Sequence, residues 1–496
     1  MMSEFVATIT YYRLYNRLLS AIMGCTPSID VHVEADDVQD GDVVGCFCGG
    51  ISAGCMGRIK NSPVPYILRA PTGKKKEIIK YSDIEKFKEI DDHALNVPGS
   101  ALKSIKSLTK YLVAISDTDK EKVRSFFVWI TANISYETSN IKGGGESLTD
   151  PNTVFRRRAG DAVGYCNLFA TMCKSAGVPV VNLSGFAKRT DHDPEIPYTP
   201  HDSPDHAWNA VFVDDDWRFV DCCWGAGYED ETGYWVRKYE EFWFLTDPDK
   251  FINDHYPWTS SDRKINNNWQ LLKQPITLAE YNKLVKLEEV AKEWGLDFSH
   301  KEPILIFRKE VHITITASIL VRNITCAMET IDHVKMDDYT LVYQFDTLTY
   351  SVQARPPSPG TYVLRIYGKK DGEMSQPAQL LVKYLLKCTD VNNYVKSLPY
   401  VFTHAQTYHV TLHEPNSREL PARSKIKIRL SSQYLRQIMV ENIPLECDEH
   451  GTWEGKITTP QSGDAIIIYG STSDDPNGKF HSLYKFYIVD KAPKKQ

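Results

Sequence analysis

Apolar positions in the first half of the chain recur at helical spacing. Leu102, Ile105, Leu108, Leu112 and Ile115 predict a helix over 100–115. Thr118-x-x-Glu121 reads as a capping box, in which a hydroxyl and a carboxylate satisfy the open amides of a helix start. It opens a second helix with Val123, Phe126, Phe127, Ile130 and Ile134 on one face. Residues 164–177 read as a third helix, with Leu168, Phe169, Met172 and Cys173 as its buried stripe and Gly177 as its stop. The pattern then turns to strands. Residues 178–184 are rich in β-branched side chains, and 206–213 and 217–220 alternate like paired strands around Asp214-Asp215-Asp216. Three acidic residues in a row suggest calcium, but a hairpin tip explains them more simply. A second capping box, Thr277-x-x-Glu280, predicts a helix carrying Leu284, Val285, Leu287, Val290, Ala291 and Trp294, stopped by Gly295.

From about residue 300 short β-rich runs alternate with Pro, Gly, Asn and Asp, as in 311–321, 362–367, 426–430 and 483–489. Such spacing predicts β-sandwiches. A faint repeat supports two of them. Pro359-Gly-Thr-Tyr-Val-Leu-Arg-Ile-Tyr-Gly368 resembles Ser462-Gly-Asp-Ala-Ile-Ile-Ile-Tyr-Gly470, and a long β-rich run follows each. The expectation is two tandem immunoglobulin-like domains, 297–390 and 391–496. They lack the Cys…Trp…Cys pattern of antibody domains.

The length of 496 residues fits about three domains at roughly 150 residues each. A net charge of −6 argues against a general nucleic-acid binder, which needs a concentrated positive face. The eleven cysteines are odd in number, widely spread and include the adjacent Cys222-Cys223, which fits reduced thiols in a cytoplasmic protein. The Asn-x-Ser/Thr matches at Asn133, Asn182 and Asn323 then read as chance.

No apolar run is long enough to span a bilayer, and Arg13 and Arg17 break the N-terminal stretch that a signal peptide would need. Met23-Gly24-Cys25-Thr26-Pro27-Ser28 matches an N-myristoylation signal. If translation starts at Met23, Gly24 could take myristate and Cys25 palmitate, an anchor to a membrane surface. Cys46, Cys48 and Cys55 lack zinc spacing. Residues 1–95 read as a poorly packed tail and linker, with Lys74-Lys75-Lys76 solvated.

Three segments carry chemistry: Arg158-AGDAVGYCNLFATMCKSAG-Val178, Asp205-HAWNAVFV-Asp214 and Trp217-RFVDCCWGAG-Tyr228. Cysteine acyl transfer needs a thiol at a helix N-terminus, where the dipole and a nearby His acidify it. The His stands on a strand facing that end, and an Asp fixes its tautomer. His206 and Asp221 fall on consecutive strands of a tight hairpin and can meet on one face. His201, Asp202 and Asp205 lie on the loop before His206. Arg156-Arg157-Arg158 precedes the helix and reads as a solvated basic face.

These segments resemble the transglutaminase-like superfamily, whose pattern runs Gly-Val-Cys-x-Gly-Tyr-Ala-x-Leu-Phe, His-Ala-Trp-Asn and Trp-x-x-Val-Asp-x-Thr-Trp-Gly. Trp243-FLTDPDKFINDHYP-Trp258 and Trp269-Gln-Leu-Leu272 look like the kyphoscoliosis-peptidase and hillarin branch, and the likeness covers roughly 96–490. It implies an α+β protein: a papain-like transglutaminase-type core over 96–296, then the two β-sandwich domains. It also implies a cysteine-peptidase or transglutaminase ancestry and a cytoskeletal partner. No cofactor or metal is expected. Aligning Gly164-Tyr165 with the family Gly-Tyr puts Ala162 at the nucleophile position, so the thiol is lost there. Cys166 sits one turn further in, about 6 Å along the helix and about 40° around it, and is the alternative nucleophile. Cys222 and Cys223 replace the family Ala-Thr. His255 lies in the branch motif without an evident chemical role. The expected function is a non-catalytic cytoskeletal or membrane-proximal scaffold. The alternatives are an enzyme acting through Cys166, or a parent enzyme whose Cys was replaced at 162.

Overall fold

In a computed structural model the described residues are 68–137, 147–230, 232–371, 377–391, 396–475 and 478–490. Gly24, Cys25, Cys46, Cys48 and Cys55 lie outside them.

Helix starts follow the capping side chains that precede them. Ser104 accepts the Ser107 amide and opens Ile105–Leu112, so the predicted 100–115 helix is broken into a 3₁₀ turn, Gly99–Lys103, and a separate α-helix. Thr118 accepts the Glu121 amide and opens α2, Asp119–Asn133. The Glu121 carboxylate takes the amide of Asp117 rather than that of Thr118. Asp161 accepts the Gly164 amide at 2.8 Å and opens α3, Ala162–Ser175. The capping carboxylate therefore starts this helix two residues earlier than its apolar stripe suggests, and Ala162 is its first residue. Gly164 admits no side chain, because a Cβ there would lie 2.1 Å from the Leu148 carbonyl oxygen. Gly177, at φ +74°, takes the left-handed conformation that ends the helix.

The core sheet has four antiparallel strands: β1, Val180–Ala187; β2, His206–Val213; β3, Asp216–Val220; and β4, His255–Pro257. Their order is β3-β2-β1-β4, with Gly185 opposite His206 and Ala187 opposite His255. Asp214 and Asp215 both have positive φ (50° and 63°), which is the two-residue turn that matches strand twist. Asp216 belongs to β3 and accepts the Thr72 amide and hydroxyl. The acidic triplet is thus a hairpin tip with one buried member.

Helices α2 and α3 pack with the sheet into one apolar core, in which Phe126, Phe127, Ile130, Leu168, Phe169 and Met172 are fully buried. Residues 68–95 differ from the expected loose linker. Helix α1, Tyr81–Leu95, buries Phe87, Ile90 and Ala94 in that same core. These three residues recur at spacings of three and four, which puts them on one helix face. Lys74 pairs with Asp249 at 2.7 Å, and Lys75 donates to the Glu241 carbonyl at 2.8 Å. Of that basic run Lys75 is tied to the core, while Lys74 and Lys76 are exposed as expected. Arg158 also departs from a solvated face: its guanidinium lies 4.6 Å from the Trp129 ring centroid and 4.5 Å from that of Phe155.

The helix predicted after Thr277 is two helices. The Thr277–Glu280 box forms and opens Leu278–Lys283, but a second helix starts at Glu289–Glu293. Between them the Val285 amide donates to the Lys301 carbonyl and the Glu288 amide to the Leu381 carbonyl. Backbone bonds to the neighbouring sandwich thus replace the helical ladder.

The first sandwich pairs 304–307, 379–388, 360–370 and 321–330 in one sheet, and 340–344, 349–354, 311–316 and 297–298 in the other. Ile313, Ile315, Val352, Leu364 and Ile366 are fully buried between them. The second sandwich has its own core around Ile428, Leu430, Ile468, Leu483 and Phe486. Both copies of the sequence repeat are antiparallel hairpins. Each carries a register shift at the same place, between Ile366 and Tyr367 and between Ile468 and Tyr469. The repeat is therefore structural down to its β-bulge. Mixed helices and antiparallel sheets followed by immunoglobulin-like β-structure agree with the expected α+β class. Among the described residues no helix is long and apolar enough to cross a membrane.

Candidate functional site: a histidine–aspartate cluster at the start of a buried helix

Helix α3 turns back through residues 176–179 into β1 and packs on β1 and β2. A connection this short makes helix and strand antiparallel, so the helix start lies at the end of the sheet where β1 finishes. Gly185 and His206 pair at that end. Ala162 and His206 therefore stand at the same end of the core, where a helix N-terminus favours a thiolate. Residue 162 has only a methyl group to offer.

His206 Nε2 lies 2.7 Å from Asp221 Oδ2, with both side chains buried. Asp221 follows β3 and caps the short helix Cys222–Ala226, accepting the Trp224 amide on Oδ1 at 2.9 Å. Its own amide donates to the Trp243 carbonyl. Burial alone would raise the Asp221 carboxyl. The charge and hydrogen bond of His206, with the hydrogen bond of His255, outweigh it and hold the group well below the usual carboxylate range. Expected from the strand pattern alone, this pair has the geometry of a base and its orienting carboxylate.

His255, which has no chemical role evident from its motif, joins the same carboxylate. Its Nε2 lies 3.1 Å from Asp221 Oδ2. The ring is wholly buried, stacked on Phe251 (centroids 4.1 Å apart) and enclosed by Trp224, Trp243 and Trp208 at 4.4, 5.1 and 5.1 Å. Burial pushes its pKa down to about 3 against the pull of Asp221, so the ring is neutral near pH 7. The strand 255–257 continues the sheet beside β1, which sets His255 near His206.

His206, Asp221 and His255 also form the one cluster among the described residues whose possible ligand atoms all lie within 4.8 Å. A cation bound through His255 Nε2 would shift that ring's proton to Nδ1. Metal-binding histidines normally give this second proton to a partner. His255 Nδ1 is buried with no hydrogen-bond partner among the described residues. The trio therefore suits a shared carboxylate better than a cation.

Cys166 is engaged one turn inside the helix. Its thiol donates to the Trp208 carbonyl at 3.1 Å and receives the Asn209 amide at 3.2 Å. Asn209 also donates to Asn182, which donates to Asn167, so Cys166 belongs to an amide network that runs from the core to half-buried positions. Cys222 and Cys223 are buried, and burial, reinforced by the negative charge of Asp221, pushes both thiols well up. Asp205 accepts the Ala187 amide and the Tyr198 hydroxyl, and Asp202 accepts the Thr199 amide. Both organise the loop before β2, and His201 is exposed on it.

Comparison with known proteins agrees with this architecture. A model of the transglutaminase-like superfamily core matches residues 106–222, and one of the KY-like, immunoglobulin-like domain matches 278–399. Kyphoscoliosis peptidase of Homo sapiens is 29% identical over 62% of this chain and 44% of its own length. Hillarin of Drosophila melanogaster is 32% identical over 48% of this chain and 30% of its own. Lim and transglutaminase domain protein ltd-1 of Caenorhabditis elegans is 28% identical over 48% and 32%. The chain thus spans less than half the length of each of these relatives. It carries a transglutaminase-like domain joined to a KY-like immunoglobulin-like domain, and kyphoscoliosis peptidase, hillarin and the Lim and transglutaminase domain protein are its homologues.

Proposed function

We propose that this chain is a non-catalytic binding protein, built on a transglutaminase-type cleft that keeps its base and carboxylate but has lost its nucleophile. One observation carries the reading: the first residue of α3, at the end of the core where His206 stands, is alanine. An acyl-transfer cycle needs a thiolate there to form the covalent intermediate. The nearest replacement along the helix, Cys166, is engaged by Trp208 and Asn209. The His206–Asp221 pair then ties β2 to the segment after β3. By resemblance to the kyphoscoliosis-peptidase and hillarin branch, the partner we propose is a cytoskeletal protein. The core and the two sandwiches would supply its docking surface, in the cytoplasm or near a membrane. The test is to assay the chain for casein cleavage and for incorporation of a primary amine into casein. Neither activity should rise above a His206→Ala control. Turnover that requires His206 and Cys166 would replace this reading with an enzyme acting through Cys166.

A further inference from the structure

The cluster contains one interaction that a base–carboxylate dyad does not require. Asp221 Oδ2 accepts from two imidazoles, His206 Nε2 at 2.7 Å and His255 Nε2 at 3.1 Å, while Oδ1 takes the Trp224 amide. Three donors on one buried carboxylate leave little freedom in its torsion. The tautomer of His255 follows from the same geometry. A neutral imidazole has one N–H, and the nitrogen facing an ionised carboxylate must carry it. That leaves Nδ1 bare, in keeping with its buried position without a hydrogen-bond partner among the described residues. A half-turn of the ring about its Cβ–Cγ bond would keep the stack on Phe251 but would put a carbon in place of Nε2 and lose the bond to Asp221.

We propose that His255 is a positioning residue for the His206–Asp221 pair: its Nε2–H occupies a lone pair of Asp221 and fixes the carboxylate toward His206. The physical basis is that a buried carboxylate with each oxygen engaged by a fixed donor has no alternative torsion that keeps all of its hydrogen bonds. This device acts on the pair itself and goes beyond the question of whether residue 162 carries a thiol.

The other charged or titratable groups acting on the cluster are few. Asp205 lies on the loop immediately before His206 and interacts with it. Lys292, ion-paired with Asp254, lies on the far side of the aromatic box near His255. Cys222 and Cys223 adjoin Asp221. None of these donates to Asp221 Oδ2.

Nitrogen-15 NMR of the histidine rings of the unmodified full chain gives the first test. His255 should show a protonated Nε2 and a bare Nδ1, unchanged between about pH 5 and 9, the range over which an ordinary imidazole titrates. A proton on Nδ1, or titration within that range, overturns the proposal. The second test compares His255→Met, which has no donor, with His255→Gln, which keeps one. In the Met variant the hydrogen-bonded Nε2–H signal of His206 should broaden as the Asp221 carboxylate gains freedom. In the Gln variant it should stay as sharp as in the parent. An unchanged His206 Nε2–H signal in a folded Met variant also overturns the proposal. If the Met variant does not fold, the tautomer measurement on the parent chain still decides.

Discussion

The Cys166 thiol lies 3.1 Å from the carbonyl oxygen of Trp208, two residues along β2 from His206. Two strand residues span about 6.6 Å, which is also close to the rise of one helical turn. Helix and strand therefore advance together, so Cys166 stands level with Trp208 while residue 162 stands level with the end that holds His206. A nucleophile one turn further in faces a carbonyl instead of a base.

Thiol reactivity follows from this. Iodoacetamide near pH 7 should alkylate Cys166, Cys222 and Cys223 slowly in the folded chain, since all three are buried and the last two are held in the neutral form. Among the described cysteines Cys447 is exposed and should react first. Time-resolved mass spectrometry of the alkylated peptides checks this, and a single fast-reacting Cys166 would contradict it.

Lys188 links the end of β1 to the segment that leads into the first sandwich. Its buried amine donates to the carbonyls of Tyr281 and Leu284 at 2.7 and 2.6 Å. Burial, opposed by Asp254, pushes its pKa down from 10.5 to about 7. Between those values the unfolded chain holds this proton and the folded chain does not, so stability rises with pH there. At most this group contributes about 1.4 kcal/mol per pH unit. Below about pH 7 both states are protonated and its contribution is level. Urea unfolding at three pH values from about 7 to 9 should give a shallower rise for Lys188→Met than for the parent. Equal slopes would show that Lys188 stays charged.

Arg124 tests whether α1 is part of the core. Its guanidinium is buried, bonded to both oxygens of Asp91 on α1 and both of Glu241 at 2.7–2.8 Å. Arg124→Met leaves two carboxylates facing one another without a cation. It should lower the unfolding free energy by about 1–3 kcal/mol, less than for a fully buried pair because the Asp91 and Glu241 carboxylates keep contact with water. A change within about 0.5 kcal/mol, the size of an ordinary surface substitution, would mean that α1 is held by its apolar face alone.

Much of this was readable in advance, for identifiable reasons. Helices α2 and α3 carry apolar residues on one face, and the Asp214-Asp215 turn has the chemistry of a two-residue hairpin. The twin hairpins were visible because each copy preserves Ile-Tyr-Gly, the residues at the bulge. What escaped depends on contacts between distant segments. Lys75 and Arg158 look like solvated charges until Glu241, Trp129 and Phe155 are placed around them. The helix after Thr277 has sound periodicity, yet bonds to Lys301 and Leu381 outcompete its middle turn. His255 is 34 residues from Asp221, and no local spacing announces a hydrogen bond between them.

On the function proposed above, position 162 is the empty nucleophile site of an otherwise assembled dyad. The direct measurement is labelling of Ala162→Cys by a thiol-reactive, acyl-forming probe near neutral pH, beside the parent chain and the double variants with His206→Ala and Asp221→Asn. The expected result is rapid labelling of the thiol introduced at position 162. That labelling should fall by roughly a hundredfold or more without His206, the scale of general-base assistance, while the parent remains unlabelled at Cys166. Slow labelling at position 162 that ignores His206, or labelling of the parent at Cys166, would contradict it.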